Sequence, residues 1–184
     1  SLIKIGTKTL IEHQIDTINN NVENQEIIGV FGYAIEKIIK KISGKLRVVE
    51  NQVYNQTNNS ESLRLAVNNT NRTNILFFHG DLYFNDKVFS NLNYKKSFLL
   101  VDNKGMMKSK EIGVTIQNNK ATMLSYGLPT KWCQMAFITG KELKILKNIL
   151  YKLQGSQKKL LSFEIINKMI SMGANFECYE PKDM

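Results

Sequence analysis

The hydrophobic pattern of this chain alternates between helical periodicity and short β-branched runs. Apolar residues recur every three to four positions over residues 8–22 and again from Ile35 to Ile42, which predicts two amphipathic helices. The intervening and following apolar runs, which predict buried strands, lie at 27–31, 46–49 and 74–78. Strand–helix alternation of this kind favours parallel strands that are joined by right-handed crossovers.

The second half of the chain has the pattern of antiparallel strands and two further helices. Residues 111–117 and 121–126 flank a polar turn, which predicts a hairpin. Thr139 and Glu142 predict a capping box for a helix that runs to about residue 152. A last helix over 159–172 and a strand over 175–179 follow, so we predict a mixed sheet between helix layers.

Length and composition indicate one soluble domain with an anionic partner. The chain has 184 residues, two prolines and no internal repeat or Pro/Gly linker. It has no apolar run of membrane-spanning length, and Cys133 and Cys178 are too few for a disulfide framework, so we expect a cytoplasmic location. The net charge of +9 is spread over dispersed lysines without an aromatic-rich basic motif. This favours a phosphate-rich small ligand over nucleic acid or a membrane, and leaves the oligomeric state open.

Gly80-Asp81 follows the apolar strand 74–78, so the carboxylate is expected at the carboxyl edge of the sheet, where ligands bind in such folds. A carboxylate there suits Mg²⁺, which prefers a few oxygen ligands together with substrate phosphates. The alternative is an Asx turn that only closes the loop.

The polar segment 51–63 precedes a predicted helix and offers amides, hydroxyls and free backbone N–H groups. These groups can contact a base or hold phosphate at the start of a helix. The alternative is a surface loop in which Asn59 or Ser60 is only the N-cap.

Taken together, these segments resemble the nucleotidyltransferase superfamily of sugar-phosphate pyrophosphorylases, and most of all its bacterial phosphocholine cytidylyltransferase-type branch. The resemblance covers about residues 1–102 and is weaker beyond them. The family start, Gly-Lys-x-Leu-hydrophobic-Glu-x-Gln, is matched from Lys8 to Gln14, except that the glycine stands at Gly6. The remaining matching motifs are Gly32-Tyr33, Asn51 with Tyr54, Asn58-Asn59 with Ser62-Leu63, and Gly80-Asp81.

The resemblance implies a three-layer α/β/α nucleotide-binding sandwich with a mixed, mostly parallel sheet. It implies that Asp81 is the catalytic metal ligand for Mg²⁺, and that Asn59, Ser62 and Gly80 lie against the nucleotide. The Asn-Asn-x-x-Ser-Leu form favours CTP. The implied reaction transfers a nucleotidyl group, CMP by preference, to a small phosphorylated acceptor and releases pyrophosphate.

The acceptor is left open by the sequence. Relatives often carry a lysine after the hairpin strand, and that lysine is absent here. Lys131 lies nearby and could replace it, and Trp132 could face a cationic head group by cation–π attraction. The alternative, which we favour, is that Trp132 packs in the core. His79 is near the site, but this chemistry needs no histidine base, and His13 is expected on a helix surface.

Two other functions compete with this interpretation. One is a non-catalytic, degenerate relative that binds a nucleotide or a protein partner. The other is a glycosyltransferase-like domain, which would need an Asp-x-Asp motif that Asp81-Leu82-Tyr83 does not supply.

The resemblance also implies segments outside these residues. The family begins with a buried strand and a Gly-rich loop before the part that residues 1–12 match, and it ends with a strand carrying a second acidic metal ligand. We therefore predict that residues 1–184 are a single nucleotidyltransferase-like domain lacking both elements, with omitted flanks as the favoured reason. An intact mass near 21.1 kDa would contradict omission and favour the non-catalytic relative.

Overall fold

The computed structural model describes residues 2–42, 44–105 and 107–181, which form ten strands and five α-helices. The first half contains β1 (Lys4–Ile5), β2 (Lys8–Thr9), α1 (Leu10–Asn21), β3 (Ile28–Phe31), α2 (Ile35–Ile42), β4 (Arg47–Glu50), α3 (Asn59–Asn68) and β5 (Asn74–Phe78). The second half contains β6 (Phe98–Asp102), β7 (Ile112–Gln117), β8 (Lys120–Tyr126), β9 (Thr130–Thr139), α4 (Gly140–Tyr151), α5 (Ser162–Ser171) and β10 (Glu177–Tyr179). Single 3₁₀ turns occupy Asp86–Phe89 and Gly155–Lys159. No helix among these residues is long and apolar enough to cross a bilayer.

The predicted mixed sheet is present, but its pairing is mostly antiparallel. Six strands are arranged in the order β5-β9-β6-β10-β8-β7, and β7 also pairs with β9. Strands β9, β6, β10, β8 and β7 therefore form a closed circuit of pairings rather than an open sheet. Among the described strands of this sheet only β6 and β10 are parallel neighbours. The expectation of a mostly parallel sheet was wrong because β9 runs antiparallel between β5 and β6 and so separates them.

Helices cover both faces of the central strands. Successive residues of β6 point to opposite faces, as the two-residue period of a strand requires. Leu99 and Val101 join a core with α3, α4 and α5, whereas Phe98 and Leu100 pack with Ile18 of α1 and the aromatic segment 84–89. The continuous apolar sequence of β6 is therefore explained by burial on both sides.

Strands β3 and β4 form a separate parallel pair, which α2 connects as a crossover. Their small core contains Ile11 and Ile15 of α1 and Ile38 and Ile42 of α2. Within the described residues, β3 pairs only with β4, and β5 pairs only with β9. One edge of β3 and one edge of β5 are therefore left without a strand partner.

The predicted capping box at the start of α4 is wrong, although the helix is present. Thr139 is the N-cap residue, but its hydroxyl bonds Oδ1 of Asn74. The carboxylate of Glu142 accepts the backbone N–H of Asn175 at 3.2 Å. Both side chains thus bind neighbouring elements in place of their own helix terminus.

Candidate functional site

A cleft of about 520 Å³ lies between β3 and β5, with α1 and α3 beside it. Much of its lining is apolar and comes from the two strands and from residues such as Ile11, Ile15 and Leu63. Its polar lining includes Asn59, Ser62, His79, Gly80, Asp81 and Ser162. The structure therefore brings together the four residues that the resemblance assigns to the nucleotide and the metal.

Asp81 lies in the loop directly after β5, and its side chain is exposed. Gln14, a buried residue of α1, donates from Nε2 to the backbone oxygen of Leu82 at 2.7 Å. The loop backbone is therefore anchored by α1 immediately after the aspartate. The Asp81 carboxylate itself makes no hydrogen bond or ion pair with a described residue, so its oxygens are available to a ligand.

The donor set fits only one mode of Mg²⁺ binding. No three His, Cys, Asp or Glu side chains converge as a metal site anywhere in the described part of the chain. Asp81 alone thus fits the mode in which one carboxylate holds the ion while phosphate oxygens and water complete the octahedron.

Arg72 is the one Lys or Arg side chain among the described residues that line the cleft. The charge of +9 is therefore not concentrated there.

A second carboxylate, which the sequence did not single out, stands at the same edge of the sheet. Glu180 follows β10, and its Oε2 accepts from Nδ2 of Asn103 at 3.1 Å. The carboxyl ends of β5, β6 and β10 point the same way, because β9 is antiparallel to β5 and β6 and β10 is parallel to β6. Three strand spacings separate the ends of β5 and β10 by about 14 Å.

The loop before α3 is held by buried Asn51. Its Nδ2 lies 3.1 Å from Oγ1 of Thr57 and 3.5 Å from Oγ of Ser62, and its Oδ1 accepts the backbone N–H of Val53 at 3.2 Å. Asn58 is the N-cap of α3, so the alternative roles of Asn59 and Ser60 as caps are wrong. Asn59 is instead the first helical residue, and its side chain reaches across to α5.

The two motif glycines, Gly80 and Gly32, differ in their surroundings. A Cβ placed on Gly80 would meet nothing within 4 Å, so the space above this residue is open to a ligand. A Cβ on Gly32 would lie 2.3 Å from Cγ of Tyr54. Gly32 follows β3 directly but does not line the cleft, and its missing side chain makes room for the Tyr54 ring.

His79 is held by contacts from three elements. Its Nε2 lies 2.7 Å from Oγ of Ser162 and 3.3 Å from Nδ2 of Asn59, and its ring packs edge-on against Trp132 with centroids 5.8 Å apart. Burial lowers the pKa of His79 below its ordinary value, while Asp81 and the Gln134 side chain act in the opposite direction.

The two acceptor candidates already have partners inside the protein. Lys131 forms an ion pair with Glu111 at 2.7 Å. Trp132 is 1% exposed, and its Nε1 donates to the backbone oxygen of Met135 at 3.1 Å. The indole is thus a core residue in this structure, as the alternative interpretation held, and a head group would reach it only after neighbouring strands moved.

The site contacts of two residues, Ser162 and Gln14, could not be predicted from the sequence. Ser162 follows Asn59 by 103 positions and starts a helix with no motif around it. Gln14 belongs to the matched N-terminal motif, but nothing in that motif predicts its bond to the loop of Asp81.

No family model and no curated protein matches this sequence. Solved structures do match. The CTP:phosphocholine cytidylyltransferase from Streptococcus pneumoniae superposes with a TM-score of 0.70 at 19% identity, over 98% of this chain and 79% of that chain. The inositol-1-phosphate CTP transferase from T. maritima gives a TM-score of 0.75 at 15% identity, over 97% and 75%. A putative glucose-1-phosphate thymidylyltransferase from Bacillus anthracis gives 0.70 at 15%, over 97% and 76%.

At sequence identities of 15–19%, these matches show a shared fold and nothing finer. The same architecture recurs among proteins named for CTP and for thymidylyl transfer. This chain therefore shares its mixed α/β fold with these solved nucleotidyltransferases.

Proposed function

We propose that this protein is a nucleotidyltransferase that transfers a nucleotidyl group from a nucleoside triphosphate to a small phosphorylated acceptor. The observation that carries the proposal is that Asn59, Ser62, Gly80 and Asp81 line one cleft. Sequence motifs assigned these four residues to one site, and they come from two different elements. CTP is the proposed nucleotide, because the Asn58-Asn59 and Ser62-Leu63 motif resembles the cytidylyltransferase branch.

The proposed reaction is a single displacement at phosphorus. A phosphate oxygen of the acceptor forms a bond to the α-phosphorus, and the bond from that phosphorus to the oxygen bridging the β-phosphate breaks. Pyrophosphate leaves with the electron pair, so no covalent enzyme intermediate is needed. The rate then depends on alignment of the two substrates and on neutralisation of phosphate charge.

In this proposal the residues of the cleft bind and orient. Asp81 would hold Mg²⁺, which supplies charge neutralisation at the phosphates. Asn59 and Ser62 would contact the base or the ribose, and the open space above Gly80 would admit the phosphates. Lys131 is a candidate for the acceptor phosphate once it leaves Glu111, and the acceptor itself stays unassigned.

A non-catalytic relative is the second candidate. It is favoured by the few charged side chains that the described residues bring to the cleft, which are Asp81, the Arg47-paired Glu26 and one basic residue, Arg72. Such a protein would bind a nucleotide without turning it over.

Pyrophosphate release distinguishes the two candidates. The purified protein is incubated with CTP, Mg²⁺ and a panel of phosphorylated acceptors that includes phosphocholine and sugar 1-phosphates. Release that needs both the metal and one acceptor supports the transferase. Asp81→Asn should abolish turnover and change the free energy of unfolding by no more than about 0.5 kcal/mol, because the side chain is exposed. CTP binding without release under any condition would favour the non-catalytic candidate.

The choice of base has its own measurement. CTP should raise the thermal midpoint more than ATP or GTP does at equal concentration, because only a ligand bound to the folded state stabilises it. Equal shifts for all three nucleotides would contradict the preference for cytidine.

A further inference from the structure

The side chains of Asn59 and Ser162, from distant parts of the chain, both contact the ring of His79. Asn59 begins α3, His79 follows β5, and Ser162 begins α5. The Asn59 Oδ1 accepts the backbone N–H of Ser162 at 2.9 Å, and the Asn59 Nδ2 lies 3.3 Å from the imidazole Nε2. The Ser162 hydroxyl reaches the same nitrogen at 2.7 Å. These three residues all line the cleft.

The bond to Ser162 fixes which way the Asn59 amide faces. Since Oδ1 is used by a backbone donor, the group that Asn59 turns toward His79 is the NH₂. Nε2 is then the accepting nitrogen of the ring, because the group that faces it is a donor. One Nδ2 hydrogen of Asn59 is left without an acceptor among the described residues.

The backbone of His79 is bonded to an irregular part of β9. The backbone N–H of His79 donates to the oxygen of Gln134 at 3.3 Å. Gln134 has φ of 56°, in the left-handed region that a glutamine rarely adopts, where the pairing of β6 with β9 shifts register. Such bulges and strained residues cluster at functional sites, where they re-aim a side chain. Trp132 blocks the ring on another side.

We propose that His79 is a positioning residue of the nucleotide site: its Nε2 holds the Asn59 amide so that the free Nδ2 hydrogen is presented to a carbonyl oxygen of the pyrimidine base. This inference rests on the proposed function and assigns His79 no contact with the reacting atoms. Its role is to hold the Asn59 amide, together with the Ser162 N–H, in the orientation that keeps Oδ1 on Ser162 and turns the NH₂ toward Nε2.

Three substitutions of His79 test whether Nε2 is the atom that positions Asn59. The amide of a glutamine reaches about as far as Nε2, whereas that of an asparagine reaches only as far as Nδ1. His79→Gln should therefore keep the CTP affinity within about twofold, and His79→Ala and His79→Asn should raise the Kd of CTP about five- to tenfold, the value of one hydrogen bond. Isothermal titration measures the Kd. The KM of the acceptor should stay unchanged in all three, which a general loss of structure would not allow.

The other histidine provides a matched control. His13 lies outside the cleft lining, its Nε2 is 2.9 Å from the backbone oxygen of Ile5, and its ring packs edge-on against Tyr83. His13→Gln and His13→Ala should leave the Kd of CTP unchanged. Ser162→Ala should raise the Kd and show less than additive effects with His79→Ala, because the two residues share one network.

The possible failures are distinguishable. If the unmodified protein neither binds CTP nor releases pyrophosphate, the proposed function and this inference both fall. If the unmodified protein binds CTP and the Ala variant binds it equally well, only the positioning role is overturned. Equal losses for the Gln and Asn variants, or equal changes in the KM of CTP and of the acceptor, would overturn it as well.

Discussion

The Asn59 side chain accepts the backbone N–H of Ser162 at 2.9 Å and so joins the first residue of α3 to the first residue of α5. This bond satisfies an N–H group that the helix itself leaves without a partner. It also brings two helix starts to the same side of the cleft.

Asn59→Ala should therefore lower the free energy of unfolding by about 1–3 kcal/mol, because the buried N–H of Ser162 loses its acceptor. Urea denaturation measures the change. Asn69→Ala is the matched control at the other end of α3, where the amide bonds an exposed helix carbonyl, and it should cost less. A larger loss for Asn69→Ala would contradict the importance of the Asn59 bond.

Gly32→Ala should destabilise the protein by about 1–3 kcal/mol, the usual cost of forcing a methyl group into occupied space. The new Cβ would lie 2.3 Å from Cγ and 2.4 Å from Cβ of Tyr54, too near the backbone for a rotation of the ring alone to relieve it. Gly80→Ala is the control, since its Cβ would meet nothing within 4 Å. Thermal unfolding of both variants makes the comparison, and equal midpoints would refute the role of Gly32.

Trp132 is the one tryptophan of the chain, and it is 1% exposed, so intrinsic fluorescence tests its place directly. The emission should be blue-shifted and poorly quenched by acrylamide until the protein unfolds. Trp132→Ala should cost about 3–5 kcal/mol of stability, as deletion of a buried indole does. Red-shifted emission with ready quenching would reopen a role for the ring at the surface.

The stability contributed by Glu12 should depend on pH. The backbone N–H and the hydroxyl of Thr9 donate to its carboxylate at 2.9 Å and 2.7 Å, and these bonds, together with Lys41, lower the pKa of Glu12 to about 2. A carboxyl whose pKa is depressed by folding stabilises the protein above its unfolded pKa, near 4.5, and loses that effect as the pH falls toward 2.

Glu12→Gln should therefore lower the thermal midpoint at pH 7, and the difference from the unmodified protein should shrink between pH 4.5 and pH 2. Glu23→Gln, which removes one carboxylate at an exposed position, is the control for the change in net charge. A midpoint difference that stays constant over this range would contradict the assignment.

Local patterns in the sequence predicted most of the elements. Strand β5 was predicted at 74–78 and is found at Asn74–Phe78, because its short apolar run ends at polar residues on both sides. Helix α1 was predicted at 8–22 and is found at Leu10–Asn21, since its apolar residues keep helical spacing. Asn59 and Asp81, which the resemblance assigns to one site, line the same cleft, and their binding roles stay predictions.

The pairing of distant strands could not be predicted from the sequence. The closed circuit of β9, β6, β10, β8 and β7 depends on which strand edges meet, and hydrophobic periodicity specifies the faces of a strand but not its neighbours. The capping box of α4 failed for the same reason, because Thr139 and Glu142 have better partners in Asn74 and Asn175. The network of Asn59, His79 and Ser162 has no local signature at all.

The separate β3–β4 pair has a consequence for how the molecule opens. No described strand connects it to the larger sheet, and its core with α1 and α2 is much smaller than the one under α3, α4 and α5. Segments with few buried apolar contacts unfold at a lower free energy than the rest of a protein. We therefore expect the amide hydrogens of β3 and β4 to exchange through a partial unfolding event, while those of β6 and β9 stay protected until the whole chain unfolds.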